Sequence, residues 1–283
     1  MNITGTTRVF VIIGDPVAQV RAPEVYNHLF RRHDVDAVVV PAKVAPAHLA
    51  GFVKNCLKAD NIGGLWVTIP HKAAMLELMD RCDPLARLAG AVNAVRRNAD
   101  GSIEGALFDG LGLVKGLDHF GIDVVGRRVL MVGAGGAGQA VAAALAQRGA
   151  GRLAIYNRTT ARAAELVDRL KPAFGAAVEV ASSADPAGHD LIVNCTSQGL
   201  KPGDSLPFDP SRVDAGAAVV DILMTRQPTA LLQACAARGV QAYPGFEMLV
   251  QQVPLYLDFM GLAELAQTLR ADLSEVRALL APR

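Results

Sequence analysis

The chain has 283 residues, 51% hydrophobic and 19% charged, enough apolar material for two ordinary domains or one large one and too little charge for a disordered chain. Its 28 Lys and Arg nearly balance 27 Asp and Glu, and this argues against a nucleic-acid partner, which would call for a basic surplus or stripe. No aliphatic stretch exceeds strand length and no leader-like segment opens the chain, so no membrane partner is expected and a cytoplasmic location is.

Strand-sized apolar runs alternate with amphipathic stretches almost throughout, the pattern of a mainly parallel sheet covered by helices. Arg8 to Ile13 reads as a strand ending at Gly14-Asp15-Pro16, followed by a helix from Pro23 to about Arg32. Ala37 to Ala42 is a second strand, Ala47 to Lys58 a helix, and Gly64 to Ile69 a third strand stopped by Pro70. A helix then runs from Lys72 to about Met79. Ala91 to Arg97 and Ser102 to Ala106 flank Asn98-Ala99-Asp100-Gly101, a hairpin turn. Asp109 to Phe120 is a helix, with Asp109 suited to its start.

The character changes at Gly126-Arg127-Arg128. Val129 to Val132 is a short, wholly apolar strand and Gly138 to Gln147 an alanine-rich helix; Arg152 to Tyr156 and Ala161 to Leu170 repeat the alternation. Further strands are expected at Val178 to Ala181, Leu191 to Asn194 and Val219 to Asp221, and helix from Met248 to Leu280. The four cysteines, Cys56, Cys82, Cys195 and Cys235, form no Cys-x-x-Cys pair and no Cys/His cluster, so reduced, packed thiols are expected and no metal.

The strand Val129 to Val132 runs directly into Gly133-Ala134-Gly135-Gly136-Ala137-Gly138 and then a helix, and this context makes the glycines a dinucleotide-binding turn. Gly133 permits the tight turn, Gly135 lets the backbone reach a pyrophosphate, and Gly138 lets helix and strand pack closely. Free N–H groups at the helix start favour the diphosphate charge. After the next strand, an NAD enzyme places an acid for the ribose 2′-hydroxyl. Here Tyr156 to Arg162 contains none. Arg158 offers a planar fork to a 2′-phosphate, with Thr159 and Arg162 placed to assist, so NADP is the expected cofactor and NAD stays possible.

The chain also resembles the shikimate/quinate dehydrogenase family along nearly its whole length. Gly14-Asp15-Pro16-Val17-Ala18 looks like its opening Gly-Asn-Pro-Ile-Ala, and Val67-Thr68-Ile69-Pro70-His71-Lys72 like its Val-Thr-x-Pro-x-Lys. Gly90-Ala91-Val92-Asn93 and Asp109-Gly110 match further motifs. So do Asn157-Arg158-Thr159, Asn194-Cys195-Thr196-Ser197-Gln198-Gly199 and the segment from Pro244 to Gln252. The resemblance implies an open α/β substrate domain (1–106), a Rossmann-type doubly wound parallel-sheet domain (107–245), and C-terminal helices (246–283) packing back on the first. It implies an active site in the cleft between the domains and reversible hydride transfer between the nicotinamide and the C3 carbinol of a cyclic carboxylate.

Lys72 and Asp109 are the catalytic pair by this resemblance, and Thr68, Asn93 and Gln252 bind substrate, while Asn157, Thr196 and Ser197 join the cofactor residues. Oxidising an alcohol by hydride loss requires removal of the hydroxyl proton, which a lysine can take while a carboxylate orients the hydroxyl. His71 is expected to be structural. The family's Ser-Lys-Ser-Pro, whose hydroxyls hold the substrate carboxylate, is replaced here by Val20-Arg21-Ala22-Pro23. Two charge-assisted bonds of roughly 1.5–3 kcal/mol each are thereby lost. Either Arg21 takes their place, or the substrate docks differently, or it is another molecule such as quinate or an amino analogue. Leu107-Phe108 and Met224 replace further polar family residues and make the expected pocket more apolar. The competing reading is a non-catalytic NADP-binding or ligand-sensing module on the same fold. Monomer and homodimer are both compatible with the sequence.

Overall fold

A computed structural model describes residues 2–201, 203–224 and 227–281. The chain divides into two compact units, one made of Met1–Phe108 with Val253–Leu280, the other of Asp109–Gln252.

The first unit opens with β1 (Arg8–Gly14), α1 (Ala22–Arg32), β2 (Ala37–Lys43), α2 (Leu49–Cys56) and β3 (Ile62–Val67). It continues with α3 (Lys72–Leu76), β4 (Arg81–Cys82), α4 (Pro84–Ala89), β5 (Ala94–Arg97) and β6 (Ile103–Ala106). Helix α1 forms because Val25, Tyr26, Leu29 and Phe30 recur at helical spacing and all are buried, with a proline in its first turn. The sheet order is β2-β1-β3-β5-β6-β4. Strands β1, β2 and β3 are parallel, whereas β5 runs antiparallel to both β3 and β6, because the turn at 98–101 reverses the chain.

Several boundaries differ from the sequence expectation. Residues 47 and 48 lie in a 3-10 turn, Pro46–His48, and α2 itself starts at Leu49. Helix α3 ends at Leu76, not near Met79. Strand β5 starts at Ala94 and not at Ala91, since the Val92 N–H donates to Lys72 O at 2.8 Å instead of joining the β3 ladder. The short α4 was not expected. Asp83 caps it by accepting from the Leu85 and Ala86 N–H groups, and Gly90 closes it in the left-handed conformation.

In the second unit, α5 (Asp109–His119) leads to β7 (Arg128–Val132), α6 (Gly136–Gln147), β8 (Arg152–Tyr156), α7 (Thr160–Phe174) and β9 (Val178–Val180). Then follow β10 (Leu191–Asn194), β11 (Ala218–Asp221), α8 (Ala230–Ala236), β12 (Gln241–Pro244) and α9 (Glu247–Phe259). All six strands are parallel, in the order β12-β11-β10-β7-β8-β9. That is the doubly wound order of a dinucleotide-binding sheet, its switch point lying between β7 and β10. Strands β7 and β10 are buried along their apolar lengths, as a sheet covered on both faces requires.

Helix α9 starts in the second unit, and its residues from Val253 onward belong to the first. Helices α10 (Ala263–Ala271) and α11 (Ser274–Leu280) complete the return. Arginines from the sheet meet the carbonyls at the end of α9: Arg96 donates to Phe259 O at 2.9 Å and Arg8 to Met260 O at 2.7 Å. Tyr256 stacks on Trp66 at 5.6 Å between ring centroids and meets Phe108 edge-on at 5.1 Å. Among the described residues no helix is long and apolar enough to cross a membrane, and no group of three His, Cys, Asp or Glu could hold a metal.

Candidate active site

In the first unit, three of the expected substrate-side residues gather where β1 and β3 end. Thr68 follows β3 and its N–H donates to Ile13 O at 3.0 Å. Gly14 has no room for a side chain there, since a Cβ would stand 2.6 Å from the Thr68 methyl. His71 is buried, with its Nε2 2.7 Å from Val44 O, and thereby ties the start of α3 to the segment after β2. Lys72, half-buried, is the first residue of that helix.

Asn93 is fully buried just before β5. Its backbone carbonyl accepts the Val67 N–H at 2.7 Å and its side-chain oxygen the Phe108 N–H at 3.0 Å. Its Nδ2 has no acceptor among the described residues. A buried donor left so costs about 1–3 kcal/mol.

Arg21 is not among these residues. Its guanidinium donates to Leu279 O at 2.5 Å and Leu280 O at 2.9 Å and lies 3.4 Å from the Glu24 carboxylate. The expected substitute for the missing hydroxyls is thus spent on the end of α11.

In the second unit, Asp109 is buried at the start of α5. Gln252 packs over the same helix, its Cγ 2.6 Å from where a Gly112 Cβ would stand, and its Nε2 is likewise a buried donor with no acceptor among the described residues.

The glycine turn joins β7 to α6 as expected from the sequence. Gly133 adopts φ +107, which suits glycine, and a Cβ there would meet the Cys195 carbonyl carbon at 2.8 Å. Gly135 precedes the helix and Gly136 opens it; a Cβ on either would meet nothing within 4 Å, so the backbone lies open to an incoming group. Ala134 is buried, its N–H donating to Asn157 Oδ1 at 3.0 Å, while Asn157 Nδ2 donates to Thr159 O at 2.9 Å. Asn157 therefore braces the turn more than it reaches outward. Ala137 and Gly138 continue into α6, with Gly138 buried against the turn.

A cleft of about 500 Å³ opens in front of this turn, with Gly133, Gly135, Asn157, Arg158, Thr159, Arg162, Thr196 and Ser197 in its walls. Eight of the twelve residues proposed for the cofactor thus share one cavity. Arg158 and Arg162 are exposed at its lip, and no acid follows β8. Tyr156, Cys195, Gln198 and Pro207 also line the cleft but were not singled out. The signal for Tyr156 and Cys195 was their position at carboxyl ends of parallel strands. Burial pushes the Cys195 thiol well above its usual range, so it remains a packed thiol; the same cause raises Cys56, Cys82 and, to about 11, Cys235.

Behind the cleft lies a buried polar group that sequence reading missed. Asp221, Asn194 and Thr229 are all buried, and the Asp221 carboxylate accepts from both of the others. Burial pushes the Asp221 carboxyl up from its ordinary value, while hydrogen bonds from Thr229 and Asn194 and the Leu223 N–H pull it back.

Known proteins with this arrangement are numerous. Residues 12–95 match the family model for the shikimate dehydrogenase substrate binding domain, and residues 117–199 that for shikimate / quinate 5-dehydrogenase. The chain is 40% identical over 256 residues to the shikimate dehydrogenase (NADP(+)) of Rubrobacter xylanophilus, with 89% of each chain covered. It is similar to the structure of shikimate 5-dehydrogenase from Listeria monocytogenes in complex with shikimate and NAD. That match has a TM-score of 0.86 and 26% identity over 95% of this chain and 98% of the other. The 5-ketofructose reductase of Gluconobacter sp. strain CHM43 is similar at TM-score 0.82 and 28% identity, over 94% and 98% of the two chains.

Proposed function

The chain belongs to the shikimate/quinate dehydrogenase family, and on that premise we propose that it is an NADP-linked alcohol dehydrogenase acting on shikimate or a related cyclic polyol carboxylate. The observation that carries this reading is the cleft of the second unit, where an open helix start faces the space beside Gly135 and two arginines stand at the lip. These residues fit a phosphorylated dinucleotide. The amides of the turn suit the diphosphate, and Arg158 and Arg162 the 2′-phosphate. When bound, the nicotinamide cofactor accepts or supplies the hydride.

The remaining chemistry falls to the protein. Lys72 takes the hydroxyl proton as the alcohol becomes a ketone and returns it in the reverse direction, while Asp109 orients the hydroxyl. Asn93 Nδ2 and Gln252 Nε2, both buried donors without an acceptor among the described residues, hydrogen-bond substrate oxygens, with Thr68 assisting. A ligand-sensing module would have no use for the pair Lys72 and Asp109. A cytoplasmic setting belongs to the same proposal and fits four thiols none of which is in a disulfide.

A second reading concerns the substrate only. Val20 and Ala22 offer no hydroxyls, Arg21 is engaged by α11, and 5-ketofructose reductase is a structural relative. These observations favour a neutral polyol or its ketone over a carboxylate. Steady-state assays with NADP(H) and NAD(H) on shikimate, quinate and 5-ketofructose decide between the readings. The proposal expects turnover with at least one of them that Lys72→Ala lowers by roughly 10²–10⁴-fold while NADPH binding is spared. Turnover of the wild type on none of these, or full activity in Lys72→Ala, would overturn it.

A further inference from the structure

Asn194 ends β10 and Asp221 ends β11, side by side in register, and Thr229 precedes α8. None of the three lines the cofactor cleft. One oxygen of Asp221 accepts the Thr229 hydroxyl at 2.6 Å, and the other accepts Asn194 Nδ2 at 2.9 Å. With its nitrogen held there, Asn194 turns its amide oxygen to the next turn, where it accepts both the N–H and the hydroxyl of Thr196, at 3.0 and 2.7 Å. Thr196 Oγ1 in turn accepts the Gln198 N–H at 3.1 Å.

A carboxylate cannot donate, so the Asn194 amide has one workable orientation. Flipped, it would set oxygen against oxygen at Asp221 and nitrogen against the Thr196 N–H. The turn so held forms part of the cleft through Thr196, Ser197 and Gln198, and Cys195 supplies the backbone against which Gly133 packs.

We propose that Asp221 is a positioning residue for the cofactor cleft: by fixing the orientation of the Asn194 amide it sets the turn from Thr196 to Gln198 on which the dinucleotide rests. This rests on the reading of that cleft as the cofactor site.

The test uses complementary changes in the full-length protein, with NADPH affinity measured by calorimetry and exchange of the Thr196 and Gln198 amide protons by NMR. Asn194→Asp places two carboxylates in contact; NADPH Kd rises at least tenfold and the two amides exchange faster, while amides inside α6 do not. Adding Asp221→Asn restores donor to acceptor, so the double variant N194D/D221N binds within threefold of the wild type. Asp221→Asn alone keeps an oxygen toward Asn194 and loses less than Asp221→Ala. If N194D does not fold, the double variant is read against the wild type alone, binding within threefold supporting the assignment and a tenfold loss overturning it. Wild-type NADPH uptake with an unchanged Kd in folded N194D overturns the role of Asp221. So does a folded double variant that binds no better than N194D. No NADPH uptake by the wild type overturns the cofactor reading itself.

Discussion

The carbonyl oxygen of Gly133 lies 2.1 Å from the point that a Cβ on Gly138 would occupy. Strand and helix can therefore meet here only if residue 138 has no side chain. Gly138→Ala must push the two apart, an overpacking that lowers stability by about 1–3 kcal/mol, or several degrees in Tm, and also weakens NADPH binding. Gly135→Ala meets no neighbouring atom and should melt like the wild type, yet if the diphosphate docks on this turn as proposed, the added methyl crowds it and NADPH Kd rises at least about tenfold. Calorimetric melting and binding on the two variants separate these effects. Equal behaviour of the two would sink the distinction.

Arg158 and Arg162 stand at the lip of the cleft with no acid after β8. A charge-assisted bond to a phosphate is worth roughly 1.5–3 kcal/mol, so Arg158→Ala is expected to weaken NADP binding by about 10- to 150-fold. NAD, which lacks the 2′-phosphate, should lose no more than about threefold. Fluorescence titration of both reduced cofactors checks the ratio, and a parallel loss for the two would remove Arg158 from the phosphate.

Arg21 donates to the last carbonyls of α11. Arg21→Ala is expected to cost about 1–3 kcal/mol of stability while changing the KM of the organic substrate less than twofold. A tenfold rise in KM at unchanged Tm would return Arg21 to the substrate. The paired change Val20→Ser with Ala22→Ser supplies the two missing hydroxyls, and kcat/KM for shikimate should rise at least about tenfold if the carboxylate docks there.

Asp190 is held by Arg128 through a 2.7 Å side-chain contact and a 2.9 Å bond from its backbone N–H, which lowers the carboxyl from 3.8 to about 2. A lowered carboxyl stabilises the fold fully above its unfolded value, and that contribution disappears as pH falls from about 4 through 2. The pair is exposed, so the effect should stay below about 1 kcal/mol. An NMR titration of Asp190 checks it: the midpoint stands near 2 in the wild type and moves toward 3.8 in Arg128→Ala.

The β7–turn–α6 unit was legible because the sequence there is local: an apolar strand, glycines and an alanine-rich helix follow without a break. Short elements were harder. Helix α8 and strand β12 escaped notice although Thr229 caps α8 by accepting the Leu232 N–H at 3.2 Å, since seven helical and four strand residues give too little periodicity. Arg21 looked available because its partners lie more than 250 residues away. The bonds among Asn194, Asp221 and Thr229 were hidden for a similar reason: each residue alone reads as a strand end or a cap, and only the parallel register of β10 and β11 brings two of them together.

The first unit is built from both ends of the chain, with the second inserted between Phe108 and Val253. During synthesis the inserted sheet is whole before the ribosome has released α10 and α11. The earlier-made half must then wait, its Arg8, Arg21 and Arg96 without the carbonyls they finally bind. Nascent chains stalled with residue 253 just clear of the ribosome should accordingly contain a protease-resistant second unit beside a first that is still readily cut.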